Sequence, residues 1–376
     1  MSSDKKREPI PASIVAQYTL VVVGIIAASL FVWQIRDALL VAFAGVILAT
    51  VITGIAYKLR QLVPFISRPW SLAAVGIILI LFISSFGLIF GPQIVEEFEA
   101  LTNRLPQQIM DLQESVREWP LGEQLLDGGL NSGTEGNTDE SNNGNNRQGG
   151  ETNGQGNSQT GNMSGAMLLE AGTTFVDILG IIVVTVFIGI FFAVDPVIYK
   201  TGLTLLVTKK RVDRVSEALE VSANALWQWL TGQFISMAFV GISIIIGLSI
   251  IGVPLALLLG LIAGLFDFVP YAGPIAAFLP AILLAFSEDP QSGLLTALLY
   301  LVVQQLEGNV VTPLIQHQKV YLPPAVVILS IVAFGVIFGV PGVILATPLA
   351  VITMVLVGML YVQDVLGKDI QIPGQE

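Results

Sequence analysis

The sequence has no cysteine and a single histidine, His317. The first absence removes disulfides, iron–sulfur clusters and thiol nucleophiles, and the second removes metal centres built on several imidazoles. Charge is scarce as well: 12% of residues are charged, against about 25% in an ordinary soluble domain. No metalloprotease HExxH, P-loop, dinucleotide-binding glycine loop or nucleophile-elbow serine is found. An intramembrane serine protease needs a positioned base, and His317 lies in "TPLIQHQKVYLPP", a stretch that reads as close to a membrane surface. A two-aspartate protease needs facing acids at membrane depth, whereas Asp177 and Asp195 fall near the ends of an apolar run. These gaps point away from an enzyme, a resident cofactor or metal, and ATP hydrolysis by this chain.

What is present is apolar sequence, 53% of the residues. Runs of roughly 18 or more apolar residues can cross about 30 Å of hydrocarbon. Such runs occupy 14–34, 38–56, 70–92, 172–194, 232–252, 254–286, 292–312 and 324–362. The sixth and eighth are too long for one straight helix and contain internal Pro or Gly. The expected fold is an all-α polytopic membrane protein with about eight transmembrane helices, two of them broken, plus an extracytoplasmic helical loop. The first run is longer than a signal-peptide core and lacks a clear cleavage site, so it reads as a permanent helix.

Basic residues set the orientation. Lys5, Lys6 and Arg7, then Lys58, Arg60 and Arg68, then Lys200, Lys209, Lys210, Arg211 and Arg214 all fall on one side, read as cytoplasmic. Both termini are then cytoplasmic, and the loop 93–171 is outside. That loop holds thirteen acids against Arg104, Arg117 and Arg147, so it accounts for most of the net charge of −11. Its first part carries Ile94, Phe98, Leu101, Leu105, Ile109, Leu112, Val116 and Trp119 at helical spacing. This stripe is either a cap on the bundle or a subunit contact, and Pro106 is expected to kink or split it. Residues 127–165, rich in Gly, Asn, Gln and Ser, have too few apolar side chains to offset the entropy of ordering. Residues 207–226 read as a cytoplasmic surface helix with basic residues at its start. The chain divides into residues 1–92, the outer segment 93–171, a second membrane region 172–365 and a tail 366–376.

Polar residues are rare in the second membrane region. Asp267 opens "DFVPYAGPIAAFLPAILLAF", where Pro270, Pro274 and Pro280 are each expected to interrupt the helix. Gln304, Gln305, Glu307 and Asn309 lie in "LVVQQLEGNVVTPLIQ", with Thr312 and Pro313 following. An ionisable residue within a span marks a solute or ion path unless it caps a helix end or snorkels to the interface, and both alternatives stay open for Asp267 and Glu307. Broken helices expose backbone groups that only protein or cavity water can satisfy. Gly339, Pro341, Gly342 and Pro348 repeat the theme in the last run, and Gly252-Val253-Pro254 resembles Gly339-Val340-Pro341. Gly260 with Gly264, and Gly335 with Gly339, have the spacing for close helix packing.

Three of these segments, in order, resemble the autoinducer-2 exporter (AI-2E) family of bacterial membrane proteins. They are Asp267 to Pro274, then Glu307, Gly308, Asn309 and Pro313, then Gly339, Gly342, Ala346 and Pro348. Many members carry Asn at the position of Asp267. The resemblance implies a multispan permease of the inner membrane, assembled as a homo-oligomer and exporting a small polar solute such as autoinducer-2. A Na+/H+-type cation/proton antiporter and a non-transporting membrane scaffold are the alternatives. The candidate path comprises Asp267, Pro270, Tyr271, Gly273, Pro274, Gln304, Glu307, Gly308, Asn309 and Pro313. Gly339, Pro341, Gly342 and Pro348 are the candidate gating or helix-breaking positions. The expected partners are the bilayer and a small polar solute, monovalent cation or proton, with no nucleic acid.

Overall fold

The computed structural model describes residues 33–117, 180–316 and 322–375, with single positions between 20 and 31. Most of the predicted first span, Asp177, residues 127–165 and His317 lie outside the described residues. Among the described residues every regular element is helical. The helices are α1 (Arg36–Leu62), α2 (Arg68–Arg117), α3 (Gly180–Val194), α4 (Pro196–Leu205), α5 (Val212–Ile251) and α6 (Ala256–Phe266). They continue with α7 (Ala272–Glu288), α8 (Pro290–Leu306), α9 (Thr312–Gln316), α10 (Pro324–Phe338) and α11 (Val340–Val357). Five spans among the described residues are long and apolar enough to cross a membrane, or six if α3 and α4, which meet at 88°, count together. This is a polytopic all-α membrane protein.

Two expected surface elements are parts of longer helices. The third run and the outer stripe form one helix, α2, of 50 residues. At 1.5 Å per residue it is about 75 Å long, more than twice the thickness of a bilayer core. It passes Pro106 without ending; an interior proline removes one hydrogen bond and need not stop a helix held on both sides of it. Residues 212–226 are likewise no separate surface helix. They are the first turns of α5, where Ala218, Val221, Ala225 and Leu226 are buried. Ala218, Val221 and Ala225 share a cluster with Val351 and Val355 of α11, so this stretch packs into the bundle along one side.

Lipid tails are as apolar as the side chains, so close packing holds such helices together, and small residues permit it. Gly252, at φ +88°, ends α5, and α6 folds back along it. A Cβ on Gly264 would lie 2.8 Å from the Met237 carbonyl oxygen, and one on Gly260 would lie 3.0 Å from that of Gly241. α8 is also antiparallel to α5, with Leu299 against Gly247 and Glu307 against Ser236. α7 is antiparallel to α8, with Phe286 against Gly293 and Ala277 beside Tyr300. It follows that α6 runs opposite to α7.

The sixth apolar run is therefore a hairpin that enters and leaves at one end of the bundle, not a broken span. Of its three prolines only Pro270 is at the break. Pro274 is in the first turn of α7 and Pro280 is inside it. The last run is a second hairpin, turned at Gly339 with φ +68°. Val343 packs on Gly335, and a Cβ on Gly342 would meet the Phe334 carbonyl oxygen at 2.1 Å. Pro341 opens α11, whereas Pro348 is buried inside it and breaks nothing. Both Gly-Val-Pro sequences thus mark a positive-φ glycine between antiparallel helices.

The ends of the bundle are tied by polar contacts. At one end Arg214 donates to Asp364 Oδ1 (3.0 Å), Gln363 Oε1 (2.7 Å) and Glu217 Oε2 (2.8 Å). There the tail folds back so that Ile372 is buried with Val221 and Ala225. At the other end Glu97 Oε2 of α2 accepts the Leu258 amide at 2.8 Å, satisfying one free donor of α6.

Asp289 caps α8 at that same end, accepting from the Gln291 and Ser292 amides (2.8 and 3.0 Å) and the Ser292 hydroxyl (2.6 Å). The Ser292 hydroxyl and these amides hold its carboxyl below the usual carboxylate range. Its folded pKa is below its unfolded one, so this stabilisation is fully present above the ordinary carboxylate range and is lost as pH falls through the folded value. Asp289→Ala should therefore lower the thermal midpoint at neutral pH, and the gap to wild type should close on acidification. A pH series of melting curves checks this.

Candidate functional site

The tip of the α6–α7 hairpin is built by "DFVPYAG". Tyr271 has φ +65° and ψ −51°, and the Ala272 amide donates to the Pro270 carbonyl at 2.8 Å. This is a γ-turn of the rare positive-φ type, which is strained for a bulky side chain. Gly273 follows because its backbone is pressed against that of Phe266: a Cβ there would stand 1.7 Å from the Phe266 carbonyl oxygen. Turning inside the bundle leaves carbonyls in need of donors. Gln233 of α5 supplies one, donating from Nε2 to the Asp267 carbonyl at 2.7 Å.

The facing wall begins where α8 ends. Glu307–Val311 form a π-helical turn, a distortion that inserts a residue into a helix and recurs at functional sites. The Glu307 carboxylate accepts from Ser236 Oγ at 2.7 Å, Gln304 Nε2 at 2.8 Å and Thr312 Oγ1 at 3.5 Å. Asp267 is 3% exposed, and its Oδ2 has no hydrogen-bond partner among the described residues. It lines the same cavity as Ser236 and Glu307.

These groups surround a cavity of about 1090 Å³. Of the predicted path residues, Asp267, Pro270, Tyr271, Pro274, Gln304, Glu307, Gly308 and Pro313 line it. Gly273 is behind the wall, shaping the turn. Asn309 faces away, donating to the backbone and side-chain oxygens of Gln305 (3.0 and 2.9 Å). Gly339, Pro341, Gly342 and Pro348 lie off the cavity, and Thr347 is the residue of α11 that lines it.

Sequence reasoning missed Gln228, Trp229, Gln233 and Ser236, the α5 contribution to the lining. A signal existed. Trp229, Gln233 and Ser236 recur at helical spacing within an otherwise apolar run. Among the described residues no group of three or more His, Asp or Glu side chains could hold a metal ion.

Antiparallel apolar helices thus enclose a cavity whose mostly apolar wall carries a few polar groups, with a hairpin tip and a helix distortion meeting in it. The profile of the AI-2E family transporters matches residues 20–361, and the chain belongs to that family. Similar proteins include YueF of Bacillus subtilis, 33% identical over 126 residues, and YrrI of the same organism, 28% identical over 170. A Thermotoga maritima protein is 34% identical over 133 residues. All three are named as candidate transport proteins. The alignments cover 34%, 45% and 35% of this chain and 34%, 48% and 41% of the relatives, so each spans less than half of either protein.

Proposed function

We propose that this chain is an inner-membrane permease that exports a small polar solute through the cavity between α5, α7 and α8. The observation that carries this is the pairing of the α6–α7 tip with the Glu307 π-turn, which sets Asp267, Gln304 and Glu307 into the mostly apolar wall of one cavity. Both termini are cytoplasmic in this reading. The basic residues at the start of α5 support it, as does the Arg214–Asp364 pair that brings the tail to the same end. α4 supports it too. It lies at a right angle to α3, exposes Val197, Ile198, Leu203 and Leu205, and leads to Lys209, Lys210 and Arg211. Such an element suits the anionic cytoplasmic leaflet. Apolar side chains exposed on α1, α2 and α10 leave room for the bilayer and for further copies in a homo-oligomer.

Purified protein in liposomes should accelerate efflux of at least one solute in a panel of small diols, furanones and small organic cations. Equal efflux from protein-free vesicles across such a panel would remove the reading.

A cation/proton antiporter is the second reading, favoured by two carboxyl groups, Asp267 and Glu307, that line one cavity. It expects Asp267→Asn and Glu307→Gln each to abolish sodium- or lithium-driven proton movement, and fails if both variants retain it.

A further inference from the structure

We infer that the cavity is selective for an organic cation, an alkyl-substituted ammonium held between Asp267, Glu307 and the rings of Trp229, Tyr271 and Tyr300. The inference rests on the cavity being the transport site and names the class of solute it takes.

Asp267 carries the argument. It lines the cavity, is 3% exposed, and has one carboxyl oxygen with no donor among the described residues. A buried acidic oxygen in that state calls for a positive or donating partner. Glu307 is hydrogen-bonded by neutral groups alone, Ser236, Gln304 and Thr312. Two acids thus face the space, and no Lys, Arg or His is among its described lining residues. An anion would be repelled, and a neutral polyol would leave the acids without countercharge.

Size and wall chemistry then separate organic from inorganic cations. A hard cation is wrapped by several oxygens at short range, in far less room than about 1090 Å³. Trp229, Tyr271 and Tyr300 line the cavity, and the negative charge density of aromatic ring faces attracts alkylammonium groups. Two of these rings are fixed by edge contacts, Trp229 with Phe268 at 5.7 Å and Tyr300 with Phe278 at 5.4 Å between centroids. Fixed rings lose little freedom when a ligand binds.

The test compares choline with 3,3-dimethylbutan-1-ol, which has the same shape and no charge, on the purified full-length protein at constant ionic strength. Choline should bind and raise the thermal midpoint, and the neutral isostere should bind at least about tenfold more weakly. Asp267→Asn and Glu307→Gln should each weaken choline at least about tenfold, and Trp229→Leu should weaken it in the same direction. If Asp267→Asn does not fold, Glu307→Gln and Trp229→Leu decide the matter. Equal binding of choline and its isostere overturns the inference, as does unchanged choline affinity in the acid variants. Sodium giving as large a midpoint shift as choline at equal concentration overturns it in favour of a small cation. Liposome flux of a neutral diol without choline flux overturns the cation inference and leaves the permease standing; flux of neither removes both.

Discussion

Gly273→Ala is expected to be the most damaging single-methyl substitution in this chain. The added Cβ would stand 1.7 Å from the Phe266 carbonyl oxygen, about half of an ordinary contact distance. The obstructing atom is backbone, so no side-chain rotation relieves the clash. Overpacking of this kind typically costs about 1–3 kcal/mol and more where nothing can move, and here the hairpin must open at its tip. Opening it would also displace Asp267, Pro270 and Tyr271 from the cavity wall. Solute flux in liposomes should be lost and the thermal midpoint should fall. Gly76→Ala, in α2 and off the cavity, is the control: nothing lies within 4 Å of its Cβ position, and alanine is the better helix former. A Gly273→Ala protein with wild-type midpoint and flux would show that the tip does not pack as described.

Glu307→Ala is expected to have the second large effect on transport. Three donors converge on this carboxylate from α5, α8 and α9, and truncation leaves all three without their acceptor. Ser236 is buried, and a donor stranded away from water costs about 1–3 kcal/mol, so the π-turn should relax and the cavity lose its shape. Flux should fall at least about tenfold, equivalent to about 1.4 kcal/mol in the barrier. Glu307→Gln separates the two roles of the side chain. It keeps an acceptor oxygen for Ser236 and removes the charge. If Gln restores flux, hydrogen bonding is what the site needs; if flux stays low while the midpoint recovers, the charge is. Flux at wild-type level in Glu307→Ala would remove this residue from the path.

The sequence made the candidate site partly legible for a physical reason. Polar groups in a bilayer are expensive, so Asp267, Gln304 and Glu307 stood out against apolar surroundings, and all three line one cavity. The contribution of α5 was harder to see, because Gln233 and Ser236 sit in a run that also satisfies the length and hydropathy of a plain span. Prolines were over-read. Pro280 and Pro348 sit inside continuous helices, since a proline frees a carbonyl one turn back and a bundle can accommodate that locally. Tyr271 was legible as a member of a motif, but its left-handed backbone was not, because nothing in a tyrosine announces a positive φ.

By itself the sequence determined that this chain is an all-α membrane protein. Its apolar runs, scarcity of charge and asymmetric basic residues leave no other way to satisfy the backbone in hydrocarbon. It also determined which rare polar side chains could form a path. Only the tertiary structure decided that the run from Pro254 to Phe286 turns back on itself. A hairpin and a broken span have the same composition and differ in packing alone. Gly241, Gly260 and Gly264 let α6 return along α5 at backbone contact, and Gly273 lets α7 leave alongside it. That return is what brings Asp267 to the cavity that Ser236 and Glu307 line.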